Sequence, residues 1–134
     1  MRGVRGVRVT AAMVSAMLTV WHNPACSNCR RAVALLEAHG IAFRTYPYLE
    51  DPPDAARVRA VLAALETTDP GAMIRTKEPE FRELGLQDAT PEQLIEAMVA
   101  HPRLIQRPIL VDTDRALVAR PPELLLEFLD LGRG

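Results

Sequence analysis

Hydrophobic and polar positions change their period several times along the chain, and each change marks an element. Met17 to His22 is a short apolar run through Leu18, Val20 and Trp21, the pattern of a buried strand. Pro24 lets neither strand nor helix run on through the next few residues. From Ser27 the apolar residues Ala32, Val33, Ala34, Leu35, Leu36 and Ala38 recur at helical spacing, and Gly40 marks the stop. Ile41 to Leu49 alternates in part, through Ile41, Phe43 and Thr45, and reads as a second strand. A strand, a helix and a strand of these lengths predict a parallel, right-handed βαβ unit.

The middle of the chain is helical in pattern. Asp51-Pro52-Pro53-Asp54 is a turn with Asp54 as a helix cap, and Ala55 to Leu65 puts Val58, Val61, Leu62 and Leu65 on one face. Pro70 to Ile74 and Pro79 to Leu84 read as shorter helices around Arg75-Thr76-Lys77-Glu78. Thr90-Pro91-Glu92-Gln93 is a helix start, and Leu94, Ile95, Met98 and Val99 carry that helix to a stop near His101-Pro102. Arg107-Pro108 then leads into a strand at Ile109 to Val111. Asp112-Thr113-Asp114 turns the chain, and Ala116 to Ala119 returns antiparallel. Pro121-Pro122-Glu123 starts a last helix with Leu124, Leu125, Phe128 and Leu129 inward. The predicted architecture is a single α/β domain over residues 17–131: βαβ, a helical insertion at about 54–102, then ββα, with a four-stranded mixed sheet.

Residues 1–16 stand apart. Arg2, Arg5 and Arg8 precede an apolar run from Val9 to Leu18 that superficially resembles a signal peptide. The run passes unbroken into the first strand and is too short for a comfortable membrane span. The expectation is an N-terminal extension, either disordered or a start assigned too early, with Met17 as the working start.

Totals narrow the chemistry. The 134 residues suffice for one buried core, and 16 basic against 17 acidic residues leave a net charge of −1. No basic run implies a nucleic acid, and the reading carries no membrane partner. The chain has two cysteines, Cys26 and Cys29, too few for a secreted disulfide framework and better suited to a cytoplasmic redox or nucleophilic site. With no second Cys pair and no His-rich cluster, a metal site is not expected. Cys26 falls in the strand-to-helix turn, where unpaired N–H groups and the helix dipole favour an anion. A thiol there ionises more readily, and the same N–H groups could hold an oxyanion substrate.

Several stretches together resemble a known family. They are His22-Asn23-Pro24-Ala25-Cys26, Tyr48-Leu49-Glu50-Asp51-Pro52-Pro53, Met73-Ile74-Arg75-Thr76-Lys77-Glu78, Ile105-Gln106-Arg107-Pro108-Ile109 and Ala119-Arg120-Pro121-Pro122-Glu123. In this order they resemble the arsenate reductase family of the glutaredoxin-coupled type, on a thioredoxin-like fold, across about Leu18 to Leu129. The resemblance implies that Cys26 attacks arsenate, which leaves as arsenite, and that Arg75, Arg107 and Arg120 surround the oxyanion. It associates His22 with a low cysteine pKa and makes Pro108 the candidate cis-proline. Asn23 and Ser27 could line the anion site, although as capping residues they need no other role. No bound cofactor is implied; glutathione with glutaredoxin, or thioredoxin, would be the external reductant of a monomeric enzyme.

One departure keeps alternatives open. The family's arsenate reductases commonly carry a single cysteine in this loop, whereas here Cys29 lies one helical turn beyond Cys26. Cys29 could resolve a disulfide at Cys26, or it could be a helix residue packed on the sheet. The pair also resembles redox-sensing regulators of the same fold, which bind RNA polymerase and switch through such a disulfide. A general dithiol exchanger is a third reading. For Arg30 and Arg31 a solvated helix face is the plain expectation, with Arg30 also recurring in the family motif. His39 and His101 are expected to cap helix ends.

Overall fold

The computed structural model describes residues 18–130. The expectations for residues 1–16, Met17 and Leu131 lie outside that range. In chain order the regular elements are β1 (Leu18–Trp21), α1 (Ser27–Ala38), β2 (Phe43–Tyr46), α2 (Ala55–Ala64), α3 (Pro79–Glu83), α4 (Pro91–Ala100), β3 (Ile109–Asp112), β4 (Arg115–Val118) and α5 (Leu124–Phe128). The chain forms two compact units. Among the described residues, one is built from 18–46 and 107–130, the other from Pro47–Gln106.

The first unit holds a four-stranded mixed sheet in the order β2-β1-β3-β4. β1 runs parallel to β2, with Leu18 opposite Phe43 and Trp21 opposite Tyr46. It runs antiparallel to β3, with Val20 opposite Leu110, and β3 pairs antiparallel with β4. This is the thioredoxin-like βαβ–ββα arrangement. β1 is a central strand, which is why Leu18, Val20 and Trp21 are all buried rather than alternating. Leu18, Val20, Ala32, Leu36, Leu110, Ala119 and Leu125 form one core cluster. α1 buries Cys29, Ala32 and Leu36, a stripe at helical spacing. It ends where Gly40 takes φ 67°, letting the Gly40 amide reach the Glu37 carbonyl (3.1 Å) and the Ile41 amide reach Leu36 (3.0 Å).

Boundaries shift for identifiable reasons. The expected strand Ile41–Leu49 shortens to Phe43–Tyr46, since Pro47 brings no N–H to the ladder. Tyr46 closes the strand with an edge-on contact to the Trp21 ring, centroids 5.0 Å apart. The last helix starts at Leu124 instead of Pro121, because tight turn bonds from the Leu124 amide to Pro121 and from Leu125 to Pro122 use those carbonyls first. Of its expected inward residues Leu125 is buried, whereas Leu124 is 40% exposed. Phe128 is half-buried beneath the Arg115 guanidinium, 4.3 Å from the ring centroid.

In the second unit, Asp54 caps α2 by accepting from the Arg57 amide (2.8 Å), and Val58, Val61 and Leu62 face inward. α4 opens on a reciprocal capping box. The Gln93 amide donates to Thr90 Oγ1 (3.1 Å), and the Thr90 amide donates to Gln93 Oε1 (2.8 Å). The expected helix Pro70–Ile74 is only a 3₁₀ turn, Pro70–Ala72. Ile74 is drawn instead into a bridge with Ile105, fixed by amide bonds from Arg75 to Leu104 and from Gln106 to Met73, each 2.6 Å. His101 ends α4 through its backbone amide on Ala97 (2.7 Å), while its Nδ1 lies 3.4 Å from Glu80 Oε2.

Candidate active site

The Cys26 loop is held by its own backbone. The Asn23 side chain accepts from the Ala25 amide (3.0 Å), and the Asn23 carbonyl accepts from the Cys26 amide (2.9 Å), a compact turn that Pro24 stiffens. Arg30 then reaches back from α1 and donates to the Pro24 carbonyl at 2.9 Å. Arg30 thereby clamps the loop, a use that no spacing rule in the sequence signals. Arg31 pairs with Glu123.

Cys26 itself stands at the cap position of α1, with non-helical φ −93° and ψ 125°. No side-chain hydrogen bond of ordinary kind caps this helix, and its first turn contains no acidic residue. The amides of that turn act instead on the sulfur as partners of its charge. Partial burial pushes the Cys26 thiol up. The Cys29 amide, the Arg107 side chain, the Asn28 amide and the Cys29 thiol together outweigh burial and bring its pKa down to about 7.

At the helix start the Cys26 amide goes to the Asn23 carbonyl, and the Asn28 and Cys29 amides act on the Cys26 sulfur. Ser27 is the first helical residue and exposed, and Asn23 shapes the loop; neither caps α1.

Cys29 lies one turn along α1 and is wholly buried. Burial pushes its thiol up to about 12. The Asn23 backbone and the positive charge of Arg107 oppose that shift, while the charge and the hydrogen bond of Cys26 add to it. Both cysteines are free thiols. Arg107 precedes a cis peptide bond to Pro108, and Arg120 precedes a second cis bond, to Pro121, where a helix start was expected. Arg120 Nη1 donates to the Arg107 carbonyl at 2.9 Å, so these two arginines are brought side by side.

His22 sits at the end of β1, its amide on the Tyr46 carbonyl (3.0 Å). Burial lowers its pKa, and its Nδ1 is buried with no hydrogen-bond partner among the described residues. The groups that hold Cys26 down are Cys29, Arg107 and Asn28. Arg75 belongs to the second unit, where its Nη1 bonds Glu78 Oε2 at 2.6 Å.

The ArsC family model matches residues 21–128 of this sequence. The chain belongs to the ArsC family. An uncharacterized protein of Escherichia coli K12, YfgD, is 40% identical over 82% of this chain and 94% of its own length. A Rhizobium meliloti protein named arsenate reductase is 40% identical, over 84% of this chain and 81% of its own. The structure of an arsenate reductase from Vibrio cholerae superposes with a TM-score of 0.80 at 39% identity, covering 84% of this chain and 97% of that one. The ArsC match takes in Cys26, both cis-prolines and the three arginines.

Among the described residues, no group of three or more His, Cys, Asp or Glu side chains could hold a metal ion. No helix among them is long and apolar enough to cross a membrane.

Proposed function

We propose that the chain is a thiol-dependent arsenate reductase in which Cys26 is the nucleophile. The observation that carries this reading is a thiol whose pKa falls to about 7 with a guanidinium against it. A thiolate approaching an oxyanion meets like charge, and two unit charges 4 Å apart repel by about 4 kcal/mol at an effective dielectric of 20. Arg107, with Arg120 beside it, supplies the compensating charge, and the guanidinium fork suits a tetrahedral oxyanion. Sulfur attacks arsenic, an oxygen departs as water, and reduction releases arsenite. Arg75 enters this proposal through the family resemblance alone, and Arg75→Ala is expected to raise KM for arsenate.

The electrons come ultimately from an external thiol, either glutathione with glutaredoxin or thioredoxin. The enzyme would work as a monomer in the cytoplasm, where such thiols stay reduced. The test is arsenate-dependent NADPH oxidation in each coupled system. Turnover should appear with at least one reductant and fall by more than a hundredfold in Cys26→Ser; a loss of less than tenfold would exclude nucleophilic catalysis by Cys26.

The contact between Cys26 and Cys29 favours a second reading, a redox-switched regulator that binds RNA polymerase or another partner. That reading predicts a stable reversible disulfide and no arsenate turnover under either reductant.

A further inference from the structure

Cys29 is a thiol with no access to solvent, held against the reactive one. We infer that Cys29 supplies the second half of the reduction, so that one arsenate is converted to arsenite by the protein's own two thiols with no external thiol present. This rests on the arsenate reading above and adds to it the source of the electrons.

Three observations carry it. Cys29 is 0% exposed, so no outside thiol, substrate or protein can react with it directly. Its one reaction partner is whatever is bonded to Cys26, which sits a single turn away and shares a side-chain hydrogen bond with it. Cys26 occupies the cap position at φ −93° and ψ 125°, outside the helical ladder, so its side chain can swing toward Cys29 while α1 stays intact.

The chemistry balances. The Cys26 thiolate displaces hydroxide from the arsenate monoanion, giving a singly charged adduct in which sulfur is bonded to arsenic that is still pentavalent. The hydroxide leaves as water with a proton from solvent. The Cys29 sulfur then attacks the Cys26 sulfur. An S–S bond forms, the As–S bond breaks, and its electron pair stays on arsenic, which becomes trivalent. The Cys29 proton goes to the departing oxyanion, released as the arsenite monoanion. The two sulfurs lose one electron each, and arsenic gains two.

The electrostatics give this step its timing. In the free enzyme the charge and hydrogen bond of Cys26 add to burial in keeping Cys29 protonated. Once arsenic is bonded to Cys26 the sulfur itself is uncharged and the adduct's single negative charge lies on the arsenate oxygens, beyond the sulfur, while the Asn23 backbone and Arg107, both of which favour the Cys29 thiolate, remain. Cys29 is thus more readily ionised with an adduct on Cys26 than beside the free Cys26 thiolate.

The test is a single turnover. Fully reduced protein, freed of reductant under anaerobic conditions, is mixed with arsenate alone, then assayed for arsenite, for free thiols after denaturation and for a disulfide-linked peptide. The expected result is one arsenite per chain, loss of both thiols and a Cys26–Cys29 link. Cys29→Ala and Cys29→Ser, each checked for native circular dichroism, should yield less than a tenth as much arsenite. Arsenite from either folded variant at the wild-type level overturns the inference. So does a wild-type protein that turns over with glutathione yet releases no arsenite without it, an outcome that leaves the arsenate reading standing. Failure under every reductant overturns both.

Discussion

Arg107 should set the pH at which Cys26 becomes reactive, and removing it should leave a crossover in the alkylation profile. A thiol at its ordinary value of 9.0 is about 1% ionised at pH 7, whereas one at about 7 is about half ionised, roughly fiftyfold more thiolate. Intrinsic nucleophilicity falls with pKa, at a Brønsted slope of about 0.45, so two units cost about eightfold and the net gain is about sixfold. In Arg107→Gln, loss of one opposing charge should raise the pKa by about one unit, to about 8. At pH 7 the thiolate then drops about fivefold while its nucleophilicity rises about threefold, and the variant reacts about twofold more slowly. At pH 9 both proteins are almost fully ionised, and the variant should be about two- to threefold faster. The measurement is the pseudo-first-order alkylation rate with iodoacetamide, whose neutrality removes any attraction to Arg107 itself. Coincident profiles for wild type and Arg107→Gln, or a wild-type midpoint at the ordinary value of 9.0, would refute the reasoning.

Three stability predictions come from the backbone and are read by denaturant titration. Gly40→Ala puts a side chain at φ 67° with no neighbouring atom within 4 Å of the added carbon, so the cost is conformational, about 1 kcal/mol; an unchanged midpoint would contradict the αL assignment. Thr90→Ala removes the oxygen that caps α4 and should cost about 1 kcal/mol, with Thr90→Ser recovering most of it. Thr113 holds φ 60° in the two-residue turn joining β3 to β4, an uncomfortable conformation for a β-branched residue. Thr113→Gly should therefore stabilise the fold, by about 1 kcal/mol, and a destabilised variant would argue against strain at this turn.

How much of this could be read from residues alone depended on whether the cause was local. The order of strands and helices was legible because each element carries its own period and its own punctuation, such as Pro24, Gly40 and Thr90. Helix ends governed by a side-chain cap, at Asp54 and Thr90, fell where the residues put them. Ends set by a distant partner did not. Ile74 leaves its helix for Ile105, thirty-one residues away, and no local pattern announces that bridge. At the site, the thiol and its turn were visible as a Cys after Asn-Pro before a helical run. Its hydrogen-bond economy was not. That the amide of Cys26 goes to Asn23, and that Asn28 and Cys29 face the sulfur, depends on loop dihedrals which the residue types permit without dictating.

That economy decides what the arginines must do. If the helix start held the substrate, the amides would neutralise the oxyanion and the thiol would ionise by other means. Here the Asn28 and Cys29 amides already act on the Cys26 sulfur, so a second negative charge brought to it finds those two engaged. An uncompensated unit charge at 4 Å, worth about 4 kcal/mol at an effective dielectric of 20, would lift the thiol pKa by about three units and protonate it at pH 7. Lowering the thiol pKa in the free protein is therefore insufficient for attack on an anion; positive charge must also accompany the substrate. Arg107 acts on the sulfur and Arg120 bonds the Arg107 carbonyl, so Arg107 is the residue at which the two demands can be separated. Arg107→Lys would keep a charge but lose the planar fork. It should ionise Cys26 nearly as well in the free enzyme and still raise KM for the oxyanion. Equal losses in alkylation and in turnover would instead mean that Arg107 serves the thiol alone.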